Sequence, residues 1–293
     1  MSASSEPTWV VIPVLNNLEM SLDAIGDALN QSVPTRVLIV NQGSDDDTRR
    51  ALERESEQRA DRLYVWSHVP PLLSLSATWN RALMFCWETG ADRALVINND
   101  LHIHRHTAEV LNLALDKLDA LFVSAVAVTQ EQFDAAPSMT SEEWLAQWDG
   151  SKGGPDFSCF LISKRCHDQF PFDQGYIPAY GEDVCYHREL MLAGLGGKIF
   201  SINLPYWHYA SGTLKTLPPD KRVAFERRVA QSRRYHEQIW GGPINAERFA
   251  RKSDPSSVAE GVSTPELQRL VQACDVADDA LHKATSGSTE PNS

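Results

Sequence analysis

Short apolar runs and stretches with helical spacing alternate along the first half of the chain. Trp9 to Val14 (WVVIPV) is an unbroken apolar run closed by Asn16-Asn17, the pattern of a strand covered on both faces. Leu18, Leu22, Ile25 and Leu29 then recur at helical spacing, with Asn16 or Asn17 as the N-cap. A second strand, Val37 to Val40, ends in NQGSDDDT. There Gly43 permits a tight turn, Ser44 can cap, and Asp45 to Asp47 suit the positive end of a charged helix over 46–60. Leu63 to Trp66 predicts a third strand, and Ser76 is expected to cap a helix carrying Trp79, Leu83 and Cys86, ended by Gly90. Ala94 to Ile97 predicts a short buried strand that runs into Asn98, Asn99 and Asp100; a helix near 107–118 and a strand at 120–128 follow. This alternation predicts an α/β fold with a Rossmann-like, mostly parallel central sheet flanked by helices. Ligands of such sheets bind at the carboxyl ends of the strands, where NQGSDDD and NND fall.

Past residue 130 the pattern loosens. EQFDAAPSMTSEEWLAQWDGSKGGP is polar and rich in Gly and Pro, as segments bordering a substrate groove are. Phe157 to Ser163 predicts a strand, Asp183 to Ala193 a helix ended by Gly194, Lys198 to Ile202 a strand, and 219–240 a helix. Residues 253–263 read as a linker, 264–283 as one amphipathic helix, and the last ten as a disordered tail. The chain has no internal repeat and no GxGxxG or GxxxxGK loop, which removes the usual dinucleotide and P-loop readings.

Charge and cysteines narrow the setting. With 39 acids against 27 bases the formal charge is −12, which disfavours adsorption to phosphate backbones and anionic membranes. The run KRVAFERRVAQSRR (221–234) is locally basic, a solvated helix face or a candidate nucleic-acid contact. Five cysteines without a CxxC pair (Cys86, Cys159, Cys166, Cys185, Cys274) read as reduced thiols. The N-terminus MSASSEPT is no signal peptide, and no apolar run approaches the roughly 18 residues of a membrane span. A soluble, cytoplasmic protein is expected, with no membrane partner.

Four polar clusters then stand out: NQGSDDD (41–47), NND (98–100), GED (181–183) and WHYASG (207–212). Asparagine and aspartate at a strand's end either cap a loop or hold a ligand, since leaving them buried and unpaired is costly. In order and spacing the chain resembles the family-2 glycosyltransferases of the GT-A fold from about Trp9 to His208. VVIPVLNN is similar to the family's opening strand, and VNQGSDDDT stands where the family usually has DDGSTDGT. TWNRAL matches its asparagine-bearing helix, LVINND its DxD-type metal motif, and YGEDVCYHRELMLAG its ED segment and helix.

The resemblance implies a GT-A domain over 1–215, with a nucleotide-sugar half at about 8–128 and an acceptor half at 129–215. A C-terminal helix and WGG clasp (216–252) and the 253–293 linker, helix and tail follow. YHEQIWGGPINAERF resembles a tail of some phage and bacterial members, a structural clasp or an acceptor-side element. The implied activity is an inverting, hexosyltransferase-type transfer from a nucleotide sugar to a hydroxyl of an acceptor, dependent on Mn²⁺ or Mg²⁺. Such a transfer must neutralise a departing diphosphate, which a hard divalent cation does with oxygen ligands.

Asp100 is the only acid in NND and so the metal contact, with Asn98 in place of the family's first aspartate as a neutral ligand or one acting through water. His208 is implied as the second ligand, or else is a core histidine between Trp207 and Tyr209. His102, His104 and His106 form either a separate metal site or a solvated loop. Asp183 is implied as the catalytic base, with Glu182 orienting the acceptor; alternatively both acids complement a helix N-terminus, which lowers the pKa of a base. Nucleotide-sugar contacts are implied for Pro13, Asn16, Asn41, Gln42, Asp45, Asn80, Asn98 and Asn99.

Because Asn41 and Gln42 stand where relatives carry a uracil-reading aspartate, a UDP-sugar is the default and GDP- or dTDP-sugars stay open. The expected acceptor is soluble: a protein, a glycan, a small molecule or a modified nucleic-acid base. A nucleotide-sugar or glycan-binding protein that has lost catalysis is the alternative. A nucleotidyltransferase would need a glycine- and base-rich loop that VLNNLEM is not.

Overall fold

The apolar runs become one mixed sheet of eight strands in a computed structural model that describes residues 7–67, 74–148, 154, 156–209 and 219–249. In chain order the elements begin β1 (Thr8–Val14), α1 (Leu18–Leu29), β2 (Thr35–Asn41), α2 (Asp46–Gln58), β3 (Leu63–Ser67) and α3 (Leu75–Glu88). They continue with β4 (Arg93–Ile97), β5 (Leu101–Ile103), α4 (Thr107–Lys117), β6 (Phe122–Val128), α5 (Gln130–Asp134) and α6 (Ser141–Ala146). The last are β7 (Cys159–Ser163), α7 (Lys164–Gln169), α8 (Glu182–Leu192), β8 (Ile199–His208) and α9 (Pro219–Trp240). The sheet order is β3-β2-β1-β4-β7-β6-β8-β5. Strands β1 to β4 pair in parallel, as expected. Strand β7 runs antiparallel to both β4 and β6, and β5 antiparallel to β8.

Both faces are covered, and the period of two shows how. Val10, Ile12 and Val14 enter one apolar cluster, while Trp9 and Val11 enter the other. Burial of each such side chain is worth about 1.5–3 kcal/mol. That is why β1 reads as a continuous apolar run.

Several expected boundaries move for identifiable reasons. Ser74, not Ser76, caps α3: its extended backbone lets its Oγ accept the Ala77 N–H at 3.1 Å, while Ser76 is buried inside the helix. Asn17 holds the N-cap position of α1 without a side-chain cap bond, and both Asn16 and Asn17 take left-handed φ values (58° and 53°). Asparagine tolerates that conformation, so the pair turns the chain into the helix with Asn17 at the expected N-cap position. Strand β8 continues past Ile202 to His208, because its pairing with β6 resumes beyond an irregularity between Ser124 and Val126 that accommodates Pro205. The loose segment after 130 holds two short helices, each opened by a capping box, Thr129 with Gln132 and Thr140 with Glu143.

Contacts divide the chain into two compact units, Met1–Tyr235 and His236–Ser293. In the second, His236 Nε2 lies 3.1 Å from Glu247 Oε1, and the Trp240 carbonyl accepts the N–H groups of Arg248 and Phe249 at 3.0 Å. A Cβ on Gly242 would meet the Ala246 carbonyl oxygen at 2.2 Å, so this turn requires glycine. The expected linker, 264–283 helix, tail and Cys274 lie outside the described residues. The other four cysteines are buried and form no disulfide among the described residues. No helix among the described residues is long and apolar enough to cross a membrane.

Candidate functional site

Strand directions place the polar clusters on one rim. The carboxyl ends of β1, β2 and β4 point the same way, and β8, parallel to β6, ends there too. The loop before α8 joins them, since the Pro178 carbonyl accepts the N–H of Leu75 (2.9 Å) at the start of α3.

On the nucleotide-sugar half the loops are tied to one another. The Asn16 N–H donates to Ser44 Oγ (2.8 Å), and the Asp45 N–H to Asn16 Oδ1 (2.9 Å). Asp45 Oδ1 accepts the Thr48 N–H at 2.8 Å and so caps α2. Asn41 is buried, its Oδ1 taking the Ser44 N–H (3.0 Å) and its Nδ2 donating to Ser67 (3.2 Å). Pro13 is buried inside β1 opposite Val40. Gln42 differs from these: its Nε2 is buried and has no partner among the described residues.

Asn80 is held by its neighbours. Its Nδ2 donates to the Phe172 carbonyl (2.8 Å), and its Oδ1 accepts the Phe172 N–H (2.9 Å) and meets His167 Nε2 (3.0 Å). His167 Nδ1 in turn accepts the Trp87 Nε1–H at 3.0 Å. Burial lowers the His167 pKa to about 4, so the imidazole is neutral. Asn80 therefore braces the 167–172 segment that leads toward α8. Asn99 is likewise engaged: buried, it donates to Ser21 Oγ of α1 at 2.8 Å.

The metal expectation has a geometric counterpart. His208 Nε2 lies 2.9 Å from Asp100 Oδ1, although the two residues stand 108 apart in sequence. Strand β5 explains the meeting: Leu101 pairs with His208, and the Tyr209 N–H donates to the Asp100 carbonyl at 2.9 Å. Asn98 stays beside them through its N–H on the Ser158 carbonyl (2.9 Å). Adjacent corners of an octahedral Mg²⁺-sized site, with bonds of about 2.0–2.1 Å, lie roughly 3 Å apart, so the two donor atoms fit a shared cation. Among the described residues no three carboxylate, imidazole or thiolate groups converge. A cation here would take its remaining ligands from substrate oxygens or water.

Of the three neighbouring histidines, His104 and His106 stack on each other, with centroids 5.6 Å apart, while His102 is tied elsewhere. His102 Nδ1 lies 2.9 Å from Asp27 Oδ2, which also accepts the Ile103 N–H, and its Nε2 lies 3.3 Å from the Tyr209 hydroxyl. Its ring stacks on Trp207, with centroids 5.4 Å apart and planes 4° from parallel. With Nδ1–H donating to Asp27, Nε2 accepts from Tyr209. This chain clamps the strand end that carries His208. His104 packs edge-on against Trp144, and His106 Nδ1 lies 3.1 Å from Glu109. Sequence reading missed the clamp. Its signal was the alternation of His102 with buried Leu101 and Ile103, opposite Trp207.

The acidic pair opens α8. Tyr180 (φ 77°) and Gly181 (φ 103°) both take left-handed backbone, which Gly181 adopts freely and Tyr180 only under constraint. Asp183 Oδ1 accepts the Val184 N–H at 2.8 Å. Glu182 is only 5% exposed, and its Oε2 is buried without a partner among the described residues. Burial, reinforced by neighbouring Asp183, raises its pKa to about 8. At Glu182, therefore, desolvation outweighs the helix N-terminus expected to lower it.

A cavity of about 540 Å³ lies elsewhere, at the opposite end of β4 around Arg93, Asp116, Asp119 and Lys164. Its charges pair among themselves, as Arg93 with Asp116 and Lys164 with Asp168.

No protein-family profile and no curated protein matches the chain. Solved structures do. Glucosyl-3-phosphoglycerate synthase from Mycobacterium tuberculosis, in complex with Mn²⁺, UDP and glucosyl-3-phosphoglycerate, aligns at TM-score 0.53 and 20% identity over 82% of this chain and 81% of that one. Mannosyltransferase PcManGT from Pyrobaculum calidifontis, in complex with GDP-Man and Mn²⁺, aligns at 0.55 and 14% over 96% and 79%. S. aureus TarS 1–349 in complex with UDP aligns at 0.52 and 13% over 80% and 72%. At these identities the likeness carries architecture, and on that ground the chain has the α/β GT-A fold, a central sheet flanked by helices.

Proposed function

We propose that this chain is an inverting, divalent-metal-dependent glycosyltransferase of the hexosyltransferase type, similar to family 2. The observation that carries the reading is the Asp100–His208 pair, 2.9 Å apart on the rim of a GT-A sheet that also bears Glu182 and Asp183. Asp100 and His208 would hold the Mn²⁺ or Mg²⁺, and Asn98 adds at most a neutral oxygen. The bound cation supplies positive charge against the departing diphosphate. Gln42, whose Nε2 has no partner among the described residues, is the amide left to read a base carbonyl, whereas both ends of the Asn41 amide are engaged. A UDP-sugar is the default donor, with GDP- and dTDP-sugars as the other candidates. Asp183 takes the proton of the attacking hydroxyl. The acceptor is a soluble protein, glycan, small molecule or modified base, and four buried cysteines outside any disulfide among the described residues accord with a cytoplasmic setting.

The test is a panel of UDP-, GDP- and dTDP-sugars with Mn²⁺, followed by release of the nucleoside diphosphate. Metal-dependent release that Asp100→Ala and Asp183→Asn abolish is expected. Nucleotide binding without turnover, indifferent to Asp183→Asn, overturns the reading in favour of a binding protein.

A further inference from the structure

The adjacent acids Glu182 and Asp183 have the same chemistry and different surroundings. Glu182 is 5% exposed, and no lysine, arginine or histidine pairs with it among the described residues. The backbone N–H groups of Tyr180 and of Glu182 itself favour its charged form, but burial and Asp183 act the other way and are stronger. Asp183 is the charged side chain that bears on it. Oε2 has no partner among the described residues. In a neutral carboxylic acid that position is a hydroxyl with a proton to give. An ionised carboxylate at Oε2 would be buried and unpaired, which proteins avoid by keeping the proton.

We propose that Glu182 works as a neutral carboxylic acid whose Oε2–H donates a hydrogen bond to an uncharged oxygen of the bound substrate, while Asp183 takes the proton of the attacking hydroxyl. The contact is to a neighbouring hydroxyl or ether oxygen and not to the attacking one, because a donor there would oppose deprotonation. Two adjacent carboxyls are thereby divided into donor and acceptor, the donor buried and the base half-buried. This rests on the glycosyltransferase reading for the identity of the substrate. It does not rest on that reading for the state of the proton.

The experiment has two arms, each on the full chain. In the first, the infrared difference spectrum of wild type minus E182Q is followed against pH. A protonated-carboxyl band present at neutral pH and lost on passing about pH 8 is expected; its absence at neutral pH overturns the proposal even if the enzyme is active. In the second, the rates of wild type, E182Q and E182A are compared on the nucleotide sugar that the panel identifies. E182Q, which keeps a donor, is expected to exceed E182A by at least about tenfold, the weight of one hydrogen bond of roughly 1.4 kcal/mol. The alkaline limb of the wild-type pH profile should vanish in E182Q. Equal losses in both variants, or an alkaline limb that survives in E182Q, overturn the donor role. A chain that turns over no nucleotide sugar sinks the glycosyltransferase reading and this donor role together, whereas the infrared band reports the proton independently.

Discussion

Asp100 and Glu182 are equally buried carboxylates, 5% exposed each, on the same rim of the same sheet. Asp100 faces an imidazole nitrogen 2.9 Å away; Glu182 has an oxygen facing no partner among the described residues. The contrast separates two ways of keeping a polar group in a dry place. One compensates the charge with a partner that can also bind a cation, and the other removes the charge by keeping a proton. On the proposed reading, the first would meet a cation and the second a hydrogen-bond acceptor, as transfer from a diphosphate to an alcohol requires.

The comparison can be broken at several points. The largest effect is expected at the acid station: Asp183→Asn should lower kcat by about 10²–10⁴-fold while leaving Mn²⁺ binding in place, as measured by initial rates beside Mn²⁺ titration. At the metal station Asp100→Ala should weaken Mn²⁺ binding by more than the roughly 10–100-fold typical of outer partners, with loss of the Mn²⁺-dependent rise in Tm. His102→Ala, which removes the link from Asp27 to Tyr209 and the stack on Trp207 but no proposed ligand, should fall within that 10–100-fold range. Equal effects from Asp100 and His102 would mean that the clamp itself is a ligand. Asn98→Asp adds a carboxylate beside the pair and should tighten Mn²⁺ by up to about tenfold, the smallest change of the series.

Acid and alkali should expose a second contrast, between Glu182 and His167. Glu182 keeps a proton that the unfolded chain releases above its ordinary 4.5, so its contribution to stability is full below that value and is lost as pH rises toward about 8. His167 refuses a proton that the unfolded chain takes up below 6.5, so its contribution is lost as pH falls toward about 4. Thermal unfolding across this range should show E182Q losing the alkaline decline and keeping the acid one. The opposite result would reverse the assignment of the two groups.

Much of the fold was legible because each buried strand carries its own apolar run and each turn its own Asn, Gly or Ser. The exceptions were elements defined by a distant partner. Strand β5 has three residues and exists through its pairing with β8, and β8 outran its apolar core because β6 supports it beyond Pro205. At the site, the clusters were legible as polar residues at strand ends, but their division of labour was not. Asn80, Asn99 and Asn41 look like ligand contacts in sequence; in space their amides brace loops. Only the surroundings could distinguish Gln42 and Glu182, whose buried polar atoms have no partner among the described residues.

The meeting of Asp100 and His208 also has a consequence in time. The strand that brings the histidine is the last of the sheet to be synthesised, and 108 residues separate the two groups. Sheet pairings so distant in sequence form slowly, after more local contacts. A nascent chain stopped short of residue 199 has the aspartate but lacks the strand that delivers its partner. If the pair holds a cation as proposed, that affinity arises only once β8 has been made, and half-made molecules on the ribosome would compete poorly for the metal.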